Sequence, residues 1–189
     1  MKITIHQPEH FPYLGLFQKM EAADLFVVLD DVQYTKGNFQ NRNKFLNDKG
    51  EEEWFTITLQ KHANKHLIKD VLVNTDIDWK TPIIEKLKRK FGTDFSTVYN
   101  YDKLVDINLA SINYCREALN ISTPMVLSST LNINTTSSQR LADICNHFGA
   151  TEYLSGKGGK DYLDESKFNC KVTYFEPTIT DYYTTLQHI

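Results

Sequence analysis

The run Leu25-Phe26-Val27-Val28-Leu29 is apolar at every position, and it constrains the fold more than any other stretch of the chain. A strand without polar alternation must be covered on both faces, which is the habit of parallel sheets packed between helices. A second short strand, Ile3-Thr4-Ile5, precedes it. Between the two lies a helical stretch that opens near Gly15 and puts Leu14, Phe17 and Met20 or Ala23 on one face. Farther along, Met125-Val126-Leu127, Glu152-Tyr153-Leu154 and Val172–Phe175 read as strands, with a helix from Ser137 or Ser138 to Phe148 between the first two. The alternation predicts an α/β, Rossmann-like fold, a mostly parallel sheet flanked by helices.

Residues 33–74 interrupt that alternation. Asn47-Asp48-Lys49-Gly50 is a turn signal between the extended segments Asn43–Leu46 and Trp54–Leu59, so a small antiparallel hairpin is expected as an insertion. Ile68–Val73 reads as a further extended piece. Helices are expected over Trp79–Phe91, stopped by Gly92, and over Leu104–Leu119. At 189 residues the chain is expected to form a single α/β domain, 1–189.

Lys and Arg total 21 against 24 Asp and Glu, a net charge of −3. The only dense basic run, Lys86-Leu87-Lys88-Arg89-Lys90, falls on a predicted helix as its solvated face, so nucleic acid is not an expected partner. No apolar run approaches the ~18 residues of a membrane helix, and Met1–Ile5 enters a strand directly with no signal-peptide pattern. The expected compartment is the cytoplasm, without membrane insertion. Cys115, Cys145 and Cys170 form no CxxC pair and read as reduced, buried thiols. His62 and His66 have the spacing of helical zinc ligands but lie in a polar segment without a third ligand, so no metal site is expected. GxSxG and HExxH patterns are absent, which disfavours covalent hydrolase chemistry.

Polar residues concentrate where strands are expected to end. The turn His6-Gln7-Pro8-Glu9-His10-Phe11-Pro12-Tyr13-Leu14-Gly15 crowds two imidazoles and an amide into a loop stiffened by two prolines. Gly15 near a helix start would admit an anion to the backbone amides. Asp30-Asp31 follows the buried strand, at the carboxyl end where α/β sheets place ligands, and could serve as a base or bind a metal, a ribose or an amine. Gln33, Lys36, Asn41 and Arg42 follow, and Arg42 offers a bidentate grip on phosphate or carboxylate. Ser155-Gly156-Lys157-Gly158-Gly159, with Tyr162 behind it, is a glycine-rich loop able to wrap an anion, although its spacing is neither a P-loop nor a dinucleotide fingerprint.

The order Ile5-His6-Gln7-Pro8, Pro12-x-x-Gly15, Lys19, Asp24-x-x-Val27, Asp30-Asp31-Val32-Gln33-Tyr34-x-Lys36, Asn41-Arg42, Arg140, Gly149-Ala150-x-x-Tyr153-Leu154-Ser155-Gly156 and Gly159-x-x-Tyr162-Leu163 resembles the WbqC-like protein family over almost the entire chain. The resemblance implies a bacterial protein associated with O-antigen and other surface-polysaccharide gene clusters, modifying a sugar nucleotide or related metabolite. It also implies a family pattern that continues past Tyr182-Tyr183 into a further hydrophobic segment, so a chain stopping at Ile189 is expected to be either a short member or one whose C-terminal part is missing. The strand, His-bearing turn and Pro-x-x-Gly helix start are also similar to the ATP-binding layout of nucleotidyltransferases, although their His-x-Gly-His motif is absent.

The function expected on these grounds is a transferase or ligase acting on an amino sugar or sugar nucleotide. His6, His10, Asp30 and Asp31 are the candidate catalytic residues. Gln7, Tyr13, Gly15, Gln33, Lys36, Asn41, Arg42, Ser155, Gly156, Gly158, Gly159 and Tyr162 are the candidates for a phosphate-bearing small molecule. A non-catalytic nucleotide-sugar binding module and a nucleotidyltransferase-like enzyme are the alternatives. No cofactor and no oligomeric state is indicated.

Overall fold

A computed structural model describes residues 1–189. In chain order its elements are β1 (Lys2–His6), α1 (Leu14–Glu21), β2 (Leu25–Val28), β3 (Arg42–Leu46), β4 (Glu52–Thr56), α2 (Lys80–Phe91), α3 (Leu104–Ala118), β5 (Met125–Leu127), α4 (Ser137–His147), β6 (Glu152–Gly156) and β7 (Lys171–Phe175), with short 3-10 turns between. The fold is α/β: a five-stranded parallel sheet, four helices and a two-stranded antiparallel hairpin. No helix is long and apolar enough to cross a membrane.

The chain divides into two compact units. Unit 1 comprises Met1–Gln7, Gly15–Asp30 and Ile121–Thr180; unit 2 comprises Pro8–Leu14, Asp31–Asn120 and Asp181–Ile189.

Unit 1 holds the sheet, in the order β5-β2-β1-β6-β7. All four ladders are parallel, with Ile3 opposite both Leu25 and Tyr153. The apolar run that predicted a doubly covered strand is β2, where Phe26, Val27 and Val28 are fully buried. Ile3, Ile5, Val27 and Tyr153 pack with Leu141, Ile144 and Cys145 of α4 in one cluster. Burial at these alternate positions follows from the period-2 geometry of a strand. Phe17 and Met20 of α1 are likewise removed from water. Gly149, at φ 61°, terminates α4 in the left-handed conformation that glycine adopts without penalty.

Unit 2 is built around aromatic side chains. Its hairpin pairs Arg42 with Thr56 through to Leu46 with Glu52. The Asn47 side chain closes the turn by accepting from the amides of Lys49 and Glu51. Phe45 meets Phe91 edge-on, and Phe11, Phe95 and Tyr114 form a second edge-to-face group. Helix α2 ends as expected at Gly92. The turn segment Pro8–Leu14 is fixed through its carbonyls. Pro8 O accepts from Asn108, His10 O and Phe11 O from Asn43, and Pro12 O from the Thr185 hydroxyl.

Two segments differ from expectation. Ile68–Val73 is not continuously extended, because Ile68–Asp70 coils into a 3-10 turn, and only the isolated bridges Leu59↔Val73 and Leu72↔Lys103 follow. Ser155 and Gly156 lie in β6 rather than in a loop, because pairing with β7 continues to Gly156↔Phe175. The rest of that glycine-rich stretch, Lys157–Asp161, is a 3-10 turn.

Candidate functional site

Unit 1 contains one position that its topology singles out. The chain crosses from β1 outward to β2 and β5, then returns over β1 to β6 and β7. The order therefore reverses between β1 and β6. In open parallel sheets the crevice outside the carboxyl ends of such a strand pair is the preferred ligand site. The β1–β2 ladder runs to His6↔Val28, whereas the β1–β6 ladder covers Lys2↔Glu152 and Ile3↔Tyr153. Beyond it the Thr4 hydroxyl takes over, donating to Leu154 O at 2.8 Å.

His6 ends β1 at this reversal. Its Nδ1 lies 2.9 Å from Gln7 O, and a carbonyl only accepts, so Nδ1 carries the proton and Nε2 keeps the lone pair. Burial first, then the positive charge of Lys19, hold the His6 pKa down at about 3, so the ring is neutral at ordinary pH. Lys19 comes from α1 and is only 4% exposed. A Cβ on Gly156 would sit 3.8 Å from its Nζ. Across the reversal, Ser155 is buried with its hydroxyl donating to Gly156 O. Neutral imidazole, buried ammonium and a side-chain-free strand end thus meet within unit 1.

Asp30 has a different part. Its carboxylate is 2% exposed and accepts from Ser128 Oγ at 3.2 Å, Ser129 N at 3.0 Å and Ser129 Oγ at 2.6 Å. It ties the segment after β2 to the turn after β5. No three His, Cys, Asp or Glu side chains come together as metal ligands would.

In unit 2 the sequence-predicted residues Lys36, Asn41 and Arg42 line a cavity of about 460 Å³. Asn41 accepts from the Tyr34 hydroxyl at 2.8 Å and donates to Ile57 O at 2.9 Å, which closes that wall. His6 belongs to unit 1, Asp31 and Arg42 to unit 2.

Comparison with known proteins places this architecture. The WbqC-like protein family model matches residues 7–188. The chain belongs to the WbqC-like protein family. It is 27% identical over 191 residues to "Uncharacterized protein Rv1507c" of Mycobacterium tuberculosis (strain ATCC 25618 / H37Rv), a match covering 93% of this chain and 82% of that protein. No solved structure matches the chain significantly.

The other candidates of this WbqC-like chain occupy varied surroundings. His10 is fully buried in unit 2, ringed edge-on by Phe11, Phe55 and Tyr99, with Nε2 3.1 Å from the Tyr99 hydroxyl. Burial depresses its pKa to about 3. Tyr13 packs against Tyr182, and burial followed by the charge of Glu9 raises its phenol to about 12. Gly15 is buried in the first turn of α1. Gln33 donates to Asn64 O at 2.7 Å, and Asp31 and Gln7 are half-buried and engaged. Gly159 is buried against Ser155, Gly158 faces open space, and Tyr162 is 68% exposed. Sequence reasoning did not single out Lys19 as a site residue. Its signal was a charge set directly between Phe17 and Met20 of the buried helix stripe.

Proposed function

We propose that this protein is a transferase or ligase acting on a phosphate-bearing sugar, an amino sugar or sugar nucleotide, in bacterial surface-polysaccharide synthesis. The observation that carries this reading is the β1/β6 reversal with His6, Lys19 and Gly156 on it. Lys19 is the cation for the substrate's phosphate, and the bare Gly156 end lets that phosphate approach the backbone. His6 Nε2 is the acceptor for the proton of the attacking hydroxyl or amine. A phosphate seated on Lys19 offsets the smaller of the two effects that depress His6, the charge of Lys19, while burial remains the larger. Asp30 is a positioning residue, holding the turn after β5 through Ser128 and Ser129. His10 serves the core of unit 2 in this reading.

The test is a thermal-shift screen of nucleotides and nucleotide sugars, followed by mass-spectrometric product detection with the stabilising ligand and an amine or acyl co-substrate. Lys19→Met and His6→Gln are expected to abolish turnover, and Lys19→Met also the thermal shift. Binding without product under any donor would replace the enzyme reading with that of a carrier module.

A further inference from the structure

The cavity of unit 2 is lined by the Tyr34–Arg42 segment and by residues 56–64. Three of its lining residues, Lys36, Arg42 and Lys61, are cations, His62 adds an imidazole, and none is Asp or Glu. The chain as a whole carries more acidic than basic residues, so an acid-free wall is a local arrangement rather than a reflection of composition. An Asp does appear next door, as Asp76 in the adjoining depression that shares Gln60 and Lys61.

Arg42 is held in place before any ligand arrives. Its guanidinium lies 4.6 Å from the Trp54 ring centroid, and its Nη2 donates to Gly37 O at 2.6 Å. Gly37 reaches that position with φ 86°, a conformation available to glycine at little cost. The Nε of Arg42 is buried and has no hydrogen-bond partner within the protein. A buried donor left open is costly unless something accepts from it. His62, also in the lining, sits at φ 64°, a left-handed conformation uncommon for a residue with a Cβ. Thr58 and Gln60 add a hydroxyl and a carboxamide to the lining.

We infer that this cavity is a binding site for a polyhydroxylated anion, a sugar ring carrying a phosphate or a carboxylate. The cations take the anionic group, with Arg42 as the preorganised member. The Thr58 hydroxyl and Gln60 amide match ring hydroxyls. The volume lies within the range of small-molecule pockets. A free amino sugar is excluded from this site by like charge. The inference does not depend on the β1/β6 reading, because every lining residue belongs to unit 2.

Isothermal titration of the full chain with glucose 1-phosphate, glucuronate, glucose, glucosamine and inorganic phosphate tests it. One or both anionic sugars should bind at least about tenfold tighter than glucose or glucosamine, and the preferred one identifies the anionic group. The double variant Lys36→Gln/Lys61→Gln should weaken that binding by about tenfold or more with an unchanged melting temperature. Repeating the titrations in Lys19→Met, which removes the phosphate cation proposed for unit 1, leaves the unit 2 cavity as the remaining site, and the preference for the anionic sugar should persist there. Equal affinity for glucose and glucose 1-phosphate, or no binding of either anion at millimolar concentration, overturns the inference. Inorganic phosphate binding as tightly as glucose 1-phosphate overturns the sugar assignment. Loss of binding in Lys19→Met with the double variant unaffected moves the anion to unit 1, overturning this site while leaving the proposed function intact.

Discussion

Alanine at Gly159 and alanine at Gly158 should behave as opposites. Both glycines lie in the 3-10 turn Lys157–Asp161, and neither has a positive φ. Backbone preference is therefore similar in the two variants, and packing alone separates them. A Cβ at Gly159 would stand 2.1 Å from Ser155 Oγ, 2.9 Å from Leu163 Cδ1 and 3.2 Å from Ser155 Cβ. The Ser155 hydroxyl would have to rotate, but Ser155 is 1% exposed, and its Cβ stays too close after any rotation. Overpacking of this kind costs about 1–3 kcal/mol. In a chain of this length each kcal/mol moves the melting temperature by roughly 2–4 °C. Taking the middle of those ranges, Gly159→Ala should melt about 4–8 °C below the parent protein. At Gly158 a Cβ meets nothing within 4 Å, so Gly158→Ala should melt within about 2 °C of the parent. Circular-dichroism melts at one scan rate decide the matter. In a Ser155→Gly background, which lacks two of the three close approaches, Gly159→Ala should cost less than it does in the parent. Indistinguishable melting of the two alanine variants, or an undiminished cost of Gly159→Ala in the Ser155→Gly background, would refute the packing argument.

Two further outcomes can be measured. His10 stays neutral in the native protein down to about pH 3, while an unfolded histidine takes up its proton near 6.5. The unfolded chain thus binds the extra proton between those values, and stability falls as the pH drops through that window, by about 1.4 kcal/mol per unit. Urea denaturation at pH 7 and pH 5 should show His10→Phe losing about 2 kcal/mol less than the parent between the two, and equal losses would count against the buried imidazole. Asp30→Ala takes the acceptor from both donors of Ser129, at a cost of about 2–3 kcal/mol. Amide exchange at Ser129 should accelerate accordingly, and unchanged protection there would show that Ser129 finds another acceptor.

What could be read from the chain was governed by range. The apolar run of β2, the Asn47–Gly50 turn and the glycine stops after α2 and α4 are local signals, and each marks an element the structure contains. Lys19 was hidden because a helix face shows its burial only once the strands it covers are known. Asp30 read as a possible ligand for metal or substrate, since its partners Ser128 and Ser129 stand about a hundred residues away. The stiff Pro8–Leu14 turn invited a functional reading for the same reason. The amides that satisfy its carbonyls come from Asn43 and Asn108, and no periodicity links them to it. The 3-10 turn at Ile68–Asp70 lacked any glycine or proline to announce it.

The way the two units are threaded has a consequence for synthesis. Ile3 finds its β6 partner Tyr153 only after the intervening chain has been made, and the Thr185 hydroxyl reaches back 173 positions to Pro12. Contacts of such separation form late, because the entropy of closing the loop must be met before they contribute. On the ribosome β1 can meet β2 early, but its other edge stays open until β6 has left the exit tunnel. A nascent chain arrested anywhere before that point is client material for chaperones and proteases rather than a partly working protein.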